Sequence, residues 1–299
     1  MISVSLLAIL IGILLGLLGG GGSILTVPVL VYFADLPAKS AILTSLIVVG
    51  ITSLIAVIAH AKAGRVCWKT GIVFGMAGMV GAFVGGRMAA FIPDPILLVV
   101  FASVMLASSI TLLKPQPIQP ATRQVGERLC PKNLPIAAII FDGLLVGSIT
   151  GLVGVGGGFL LVPALNYLAG LPIRAAIGTS LMIIVLQAIA ALIGHASHFE
   201  INTGLTLWVT ICAISGSMIG ALGSGKISSH FLKRSFGVFV FLLGCFLLYK
   251  ELNWQIMRDI QQLIIKHQEF ILGAISLIGG LGLYQLWSWL HRHPNLNES

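Results

Sequence analysis

The chain has 299 residues, of which 57% are hydrophobic and only 9% charged, with a net charge of +8 and a mean hydropathy of +1.05. A soluble domain carries roughly 25% charged residues, so this chain cannot cover a soluble surface and reads as an all-α polytopic membrane protein. The basic residues sit mostly in short loops between apolar runs, where membrane topology expects them, which argues against a nucleic-acid footprint.

The first apolar stretch runs from about Ile2 to Phe33 and is broken at Gly19–Gly22. Its two pieces, of about 17 and 11 residues, reach roughly 25 and 16 Å against a hydrocarbon core of about 30 Å. Neither spans comfortably alone, the pattern of a discontinuous or re-entrant element. The N-terminus has no basic region and no small-residue cleavage site, so a cleaved signal peptide is not expected. Three ordinary spans follow at about 38–60, 69–91 and 95–113. Residues 114–135 are a Pro-rich polar connector holding Lys114, Arg123, Arg128 and Lys132. A second broken stretch covers about 136–169, with spans at about 175–196, 204–224 and 235–249. Residues 251–269 place Ile256, Ile260, Leu263 and Ile264 on one face, as in an interfacial amphipathic helix. A last span within 270–299 has no counterpart earlier and ends in Trp287 and Trp289, which suit an aromatic belt.

The two halves are copies. Residues 16–28 read GLLGGGGSILTVP and residues 151–163 read GLVGVGGGFLLVP. From Gly16 to Leu46, 18 of 31 positions are identical at a constant offset of 135. His60 and His195, Gly81 and Gly216, and Gly85 and Gly220 keep that offset. The expected units are membrane repeat one (1–113), a cytoplasmic connector (114–135) and membrane repeat two (136–250). If each broken stretch crosses fully, the copies run parallel and the basic residues split 10 to 7 between the faces. If each is a re-entrant hairpin followed by three spans, the copies are inverted. Lys62, Arg65, Lys69, the four connector residues, Arg174, Lys226, Lys233, Arg234 and Arg292 then share the cytoplasmic face, a split of 12 to 5. The inverted arrangement fits the positive-inside bias better.

Glycine permits unusual dihedrals and close approach of a ligand to the backbone. A half-helix beginning after Gly22, with Ser23 as N-cap, and another beginning near Gly158 would point free N–H groups and positive dipole ends at a ligand. Facing each other near mid-membrane, such termini make an anion site without a buried cation. Gly19, Gly20, Gly21, Gly22 and Ser23, with Gly154, Gly156, Gly157 and Gly158, are therefore candidate substrate-binding residues. Glycines also let membrane helices pack closely, and repetition in register inside two over-long stretches favours the ligand reading. No Gly-Lys-Ser/Thr follows, so the run is not a P-loop.

Thr44-Ser45 and Thr179-Ser180 sit about two turns past Leu-Pro bends and offer hydroxyls to the same anion, or to their own helix carbonyls. His60 and His195 end their spans at opposite faces, where an interfacial hydrogen bond is the ordinary role and gating or proton transfer the second. Asp142, in IAAIIFDGLL, is a carboxylate well inside an apolar stretch and a candidate for proton coupling, unless its two-turn distance from the connector lets it reach water. Lys39 and Arg174 occupy equivalent positions beside the bends, as steering charges or solvated anchors. Cys67, Cys130, Cys212 and Cys245 form no CxxC and no Cys/His cluster, so neither a metal site nor a disulfide is expected. No cofactor is expected, and no paired carboxylates or catalytic motif marks an enzyme.

With GxxGxGGGxLxVPxL, the Leu-Pro bend and the following Thr-Ser-Leu, the sequence resembles the TauE/SafE family of sulfite exporters over about residues 1–250. The resemblance implies four-plus-four hydrophobic segments and transport of sulfur-containing anions such as sulfite, thiosulfate, sulfoacetate or other organosulfonates. Copy one departs from the pattern at Ser23, where copy two has Gly158. The expected protein is thus a multi-pass transporter of a small anion in a plasma or bacterial inner membrane, in contact with lipid and with protons as a coupling partner. An anion or small-solute channel is the alternative.

Overall fold

A computed structural model describes residues 2–18, 21–113, 130, 136–154, 157–167, 170–195, 202–223 and 229–251. The regular elements are α1 (Ile2–Leu18), a 3-10 segment (Gly21–Leu25), α2 (Thr26–Phe33), α3 (Ala38–Lys62), α4 (Trp68–Ala89) and α5 (Asp94–Leu113). The second half has α6 (Ile136–Val153), α7 (Gly158–Tyr167), α8 (Ile173–His195), α9 (Thr203–Gly223) and α10 (Ser229–Glu251). Five of these helices are long and apolar enough to cross a membrane: α3, α4, α6, α8 and α9. The expected interfacial helix at 251–269 and the last span lie outside the described residues, apart from Glu251.

The duplication extends to hydrogen bonds. At the first bend Leu36 N–H donates to Leu30 C=O at 3.1 Å, and Ala41 N–H to Pro37 C=O at 2.9 Å. At the second, Leu171 N–H donates to Leu165 C=O at 3.1 Å, and Ala176 N–H to Pro172 C=O at 2.9 Å. Both bends turn on a left-handed residue, Asp35 (φ 52°) and Gly170 (φ 64°). Aspartate tolerates that region better than most side chains, so one turn is built from two different residues.

The tightest packing joins the copies to each other. α4 lies along α6, where Gly81 faces the Leu144 carbonyl and Ser148 nitrogen, and Gly147 faces Gly78. α1 lies along α9, where Gly216 faces the Ile9 carbonyl and Ile13 nitrogen, and Gly12 faces Ala213. Every residue of the second set is one of the first moved by 135, with the partners exchanged. The fourth helix of each copy therefore packs on the first helix of the other. Residue numbers rise together along each pair, so each pair is parallel. α3 and α8 cross antiparallel, with Gly50 against Ala188 and Gly178 against His60 and Arg65. α4 turns Gly71, Gly75, Gly78, Gly81 and Gly85 inward and exposes Ile72, Met76, Val80 and Phe83. Small residues inside and large apolar ones outside is the arrangement of a helix whose outer face meets lipid.

One expectation about cysteine is corrected. Cys67, buried at the start of α4, is bonded to Cys130 of the connector, with an S–S distance of 2.03 Å and Cα atoms 5.6 Å apart. The partners are 63 residues apart, and the bond ties the connector to the loop after α3.

Candidate functional site

The second glycine run makes a tight turn between two helices. Gly154, at φ 72°, donates its N–H to Thr150 C=O at 2.8 Å and closes α6. Gly157, at φ 64°, opens α7 by accepting from the N–H groups of Leu160 and Leu161 at 2.9 and 2.8 Å. A side chain at Gly154 would overlap Ile42 of α3. α7 begins at Gly158, where the sequence placed it; with Leu160 and Leu161 bonded to Gly157 C=O, the amides of Gly158 and Phe159 are the ones left without an intrahelical carbonyl.

The first run is built differently. From Gly21 the chain runs as a 3-10 segment, and α2 starts only at Thr26, after Leu25, which makes no side-chain cap. Ser23 is therefore not the N-cap of an α-helical half but a buried residue inside that segment. Gly22 packs on the backbone of α1 at Ile11 and Leu15. Gly19, Gly20 and Gly156 lie outside the described residues.

The two turns sit toward opposite ends of the bundle. Gly16 touches Ala221 near the end of α9, whereas Gly151 touches Ala82 and Gly154 touches Ile42 near the start of α3. Thr44 and Thr206, each in the first turns of α3 and α9, lie 3.4 Å apart, so these helices run in one direction. α1 follows α9, and α6 follows α4. The 17 residues of α1 and 18 of α6 carry each run most of the way across before it turns. α7 also packs against the 3-10 segment, so the two returning pieces meet.

The histidines are both buried beside these turns. His195 is fully buried and its Nε2 lies 3.0 Å from Gly151 C=O. His60 is buried against Gly16, the equivalent position, but makes no hydrogen bond of comparable geometry. The hydroxyls also differ between copies. Thr179 Oγ1 accepts from Cys67 N–H at 3.0 Å, and Ser180 Oγ donates to Ile177 C=O of its own helix at 2.8 Å. Ser45 Oγ is buried with no partner among the described residues. Asp142 is 5% exposed, so it does not reach water at the connector end of α6. Lys39 is an anchor: its Nζ lies 3.7 Å from Asp94 Oδ1 and donates to Ala90 C=O at 3.3 Å. The side chain of Arg174 lies outside the described residues.

Sequence reasoning missed Thr150, Thr206 and Gln187. The signal for Gln187 was present, as a single amide inside the apolar run LMIIVLQAIAALIG, where copy one has Thr52 in place of the amide.

No solved structure matches the chain. Among curated proteins it is similar to a "Probable membrane transporter protein" of Xylella fastidiosa, with 32% identity over 247 residues covering 81% of this chain and 92% of that one. A protein of the same description from Methanocaldococcus jannaschii is 29% identical over 261 residues, covering 81% and 94%. YdhB of Bacillus subtilis, likewise described, is 27% identical over 244 residues, covering 82% and 98%. The sulfite exporter TauE/SafE family model matches residues 4–247. With that match spanning both copies and both glycine turns, the chain belongs to the TauE/SafE family of membrane transport proteins.

Proposed function

We propose that the protein is a secondary transporter of small sulfur-containing anions, such as sulfite, thiosulfate, sulfoacetate or another organosulfonate. It works by alternating access in a plasma or bacterial inner membrane. Each copy is a re-entrant hairpin followed by three spans, and the copies are inverted. The observation that carries this reading is the exchanged packing: a contact between α4 and α6 recurs, moved by 135, between α9 and α1. Parallel α1 with α9 and antiparallel α3 with α8 support the inversion. Equivalent halves whose histidines differ, His195 closely bonded to Gly151 C=O and His60 set more loosely against Gly16, suit one state of a two-state carrier. Because the two turns lie toward opposite ends, each glycine turn and half-helix N-terminus offers its own N–H groups to the anion, with Thr44, Ser45, Thr179 and Ser180 nearby in sequence to the same bends. Asp142 is the proposed proton-coupling group.

Uptake into proteoliposomes, with a panel of sulfur oxoanions and with or without a pH gradient, tests the reading. Accumulation above equilibrium and counterflow are expected. Asp142→Asn should lose the response to the pH gradient but keep exchange. Flux that only ever runs downhill, without counterflow, would indicate a channel.

The orientation is a separate matter. The inverted arrangement puts the basic residues and Cys67 at one end, which we assign to the cytoplasm. Disulfides persist in oxidising compartments, so in a reducing cytoplasm Cys67 and Cys130 would stand as thiols. Lys69→Cys and Lys233→Cys should both react with a membrane-impermeant maleimide from the cytoplasmic side. Reaction from opposite sides would overturn the inversion, and reaction of both from outside would reverse the orientation.

A further inference from the structure

Gln187 lies halfway along α8 and is 1% exposed. Its Oε1 lies 3.2 Å from Thr150 Oγ1 of α6. The Thr150 hydroxyl has one proton, and it is also bonded to Val146 C=O. The other end of the amide, Nε2, lies over Gly78 of α4 and has no hydrogen-bond partner among the described residues. Any side chain at position 78 would occupy the place of that nitrogen. An amide held in an apolar bundle with half its hydrogen bonding unmet is costly. Three helices nevertheless keep room for it.

The amide is linked to the glycine turn. A Cβ built on Gly157 would lie 3.1 Å from Thr150 Oγ1, so Thr150 stands between Gln187 and the start of α7. Packing inherited from the duplication does not account for the pair. Its counterparts in copy one are Thr52 and Leu15, and Thr52 Oγ1 is bonded to Val48 C=O of its own helix. The Gln187–Thr150 pair belongs to copy two alone.

We propose that the Gln187 carboxamide is an anion-binding group. With the free amides of Gly158 and Phe159 at the start of α7, it forms a neutral donor set for a small oxyanion, and Thr150, whose one proton is already engaged, holds the carboxamide in place. This rests on the reading that the protein carries such anions. A neutral amide donates without the desolvation cost of a buried lysine or arginine, and it does not neutralise the substrate so tightly as to trap it. It also offers an acceptor, which suits an oxyanion that retains a proton, such as hydrogensulfite.

The test is binding of sulfite, thiosulfate and sulfate to purified, monodisperse protein. Gln187→Leu keeps the bulk and removes both hydrogen-bonding ends. It should weaken the best-bound anion roughly 10- to 100-fold, the range for a hydrogen bond to a charged group, while the melting temperature holds or rises. Gln187→Glu keeps the shape and adds a negative charge, so it should abolish binding. Gly78→Ala leaves the amide intact but pushes its end away. It should weaken binding too, and it decides the matter if the Gln187 variants do not fold. A purely structural glutamine would lower the melting temperature and leave affinity and anion preference alone. Parent-like affinity in folded Gln187→Leu, or in Gly78→Ala where only that variant folds, overturns the assignment and leaves the transport reading standing. If the parent binds none of the three anions, the anion reading falls first and the Gln187 assignment with it.

Discussion

Gly147→Val and Gly12→Val should each destroy the folded bundle. A Cβ at Gly147 would fall on the backbone of Gly78, and one at Gly12 on the carbonyl of Ala213. These are main-chain atoms on neighbouring helices, so no rotamer change relieves the overlap. Only separation of α4 from α6, or of α1 from α9, would do so, and each separation also pulls one copy away from the other. Inserting bulk into a packed core costs about 1–3 kcal/mol when side chains can give. Here the cost is expected above that range, a large share of the roughly 5–15 kcal/mol that holds a typical domain. Size-exclusion chromatography in detergent should show the monodisperse peak lost for both variants. Gly64→Ala is the control: φ is 68° but nothing lies within 4 Å, so it meets only backbone strain of about 1–2 kcal/mol and should keep its peak. A parent-like profile for Gly147→Val would mean that α4 and α6 do not approach as described.

The helices of this protein were legible because they are long, apolar and punctuated. α3, α4, α8 and α9 start and stop within two residues of their sequence assignments, since Leu-Pro bends and charged loops mark the ends. The constant offset of 135 exposed the duplication, but an offset does not say which surfaces meet. That information lay in spacing: Gly143, Gly147 and Gly151 on α6 match Phe74, Gly78 and Ala82 on α4, and only the fold pairs them. The glycine turns were expected to face each other near mid-membrane, whereas they sit toward opposite ends of the bundle. An 18-residue helix covers about 27 Å, so α6 had to end near the far side of a core about 30 Å thick. Each turn accordingly lies toward its own end, beside its own histidine. The Cys67–Cys130 bond was not legible, because pairing across a connector cannot be read from spacing. Ser23 was misread as a cap because Gly21–Leu25 of copy one wind into a 3-10 segment, while the second run carries two left-handed glycines, Gly154 and Gly157.

Gly157→Ala should give a folded protein that has lost its anion. Its φ of 64° is one that side chains adopt only with strain, about 1–3 kcal/mol. The added Cβ also meets the Thr150 side chain, not backbone, so the bundle can yield locally. The yielding part is the turn that presents the α7 amides, which is where the anion is proposed to sit. Gly22→Val is a poorer probe, because its side chain would fall on Ile11 C=O and Leu15 N and disturb folding first. The hydroxyls sharpen the test. Ser45 Oγ is buried with no partner among the described residues, whereas Ser180 Oγ already donates its proton to Ile177 C=O. An anion needs donors, so Ser45→Ala should weaken binding by about 1 kcal/mol and Ser180→Ala by less than half of that. Titration of purified variants with sulfite and thiosulfate measures all three. If Gly157→Ala is monodisperse and binds as tightly as the parent, the turn is a packing device. Equal losses at Ser45 and Ser180 would mean that the back-bonded proton of Ser180 is released to the anion, and that the two hydroxyls act alike despite their different surroundings.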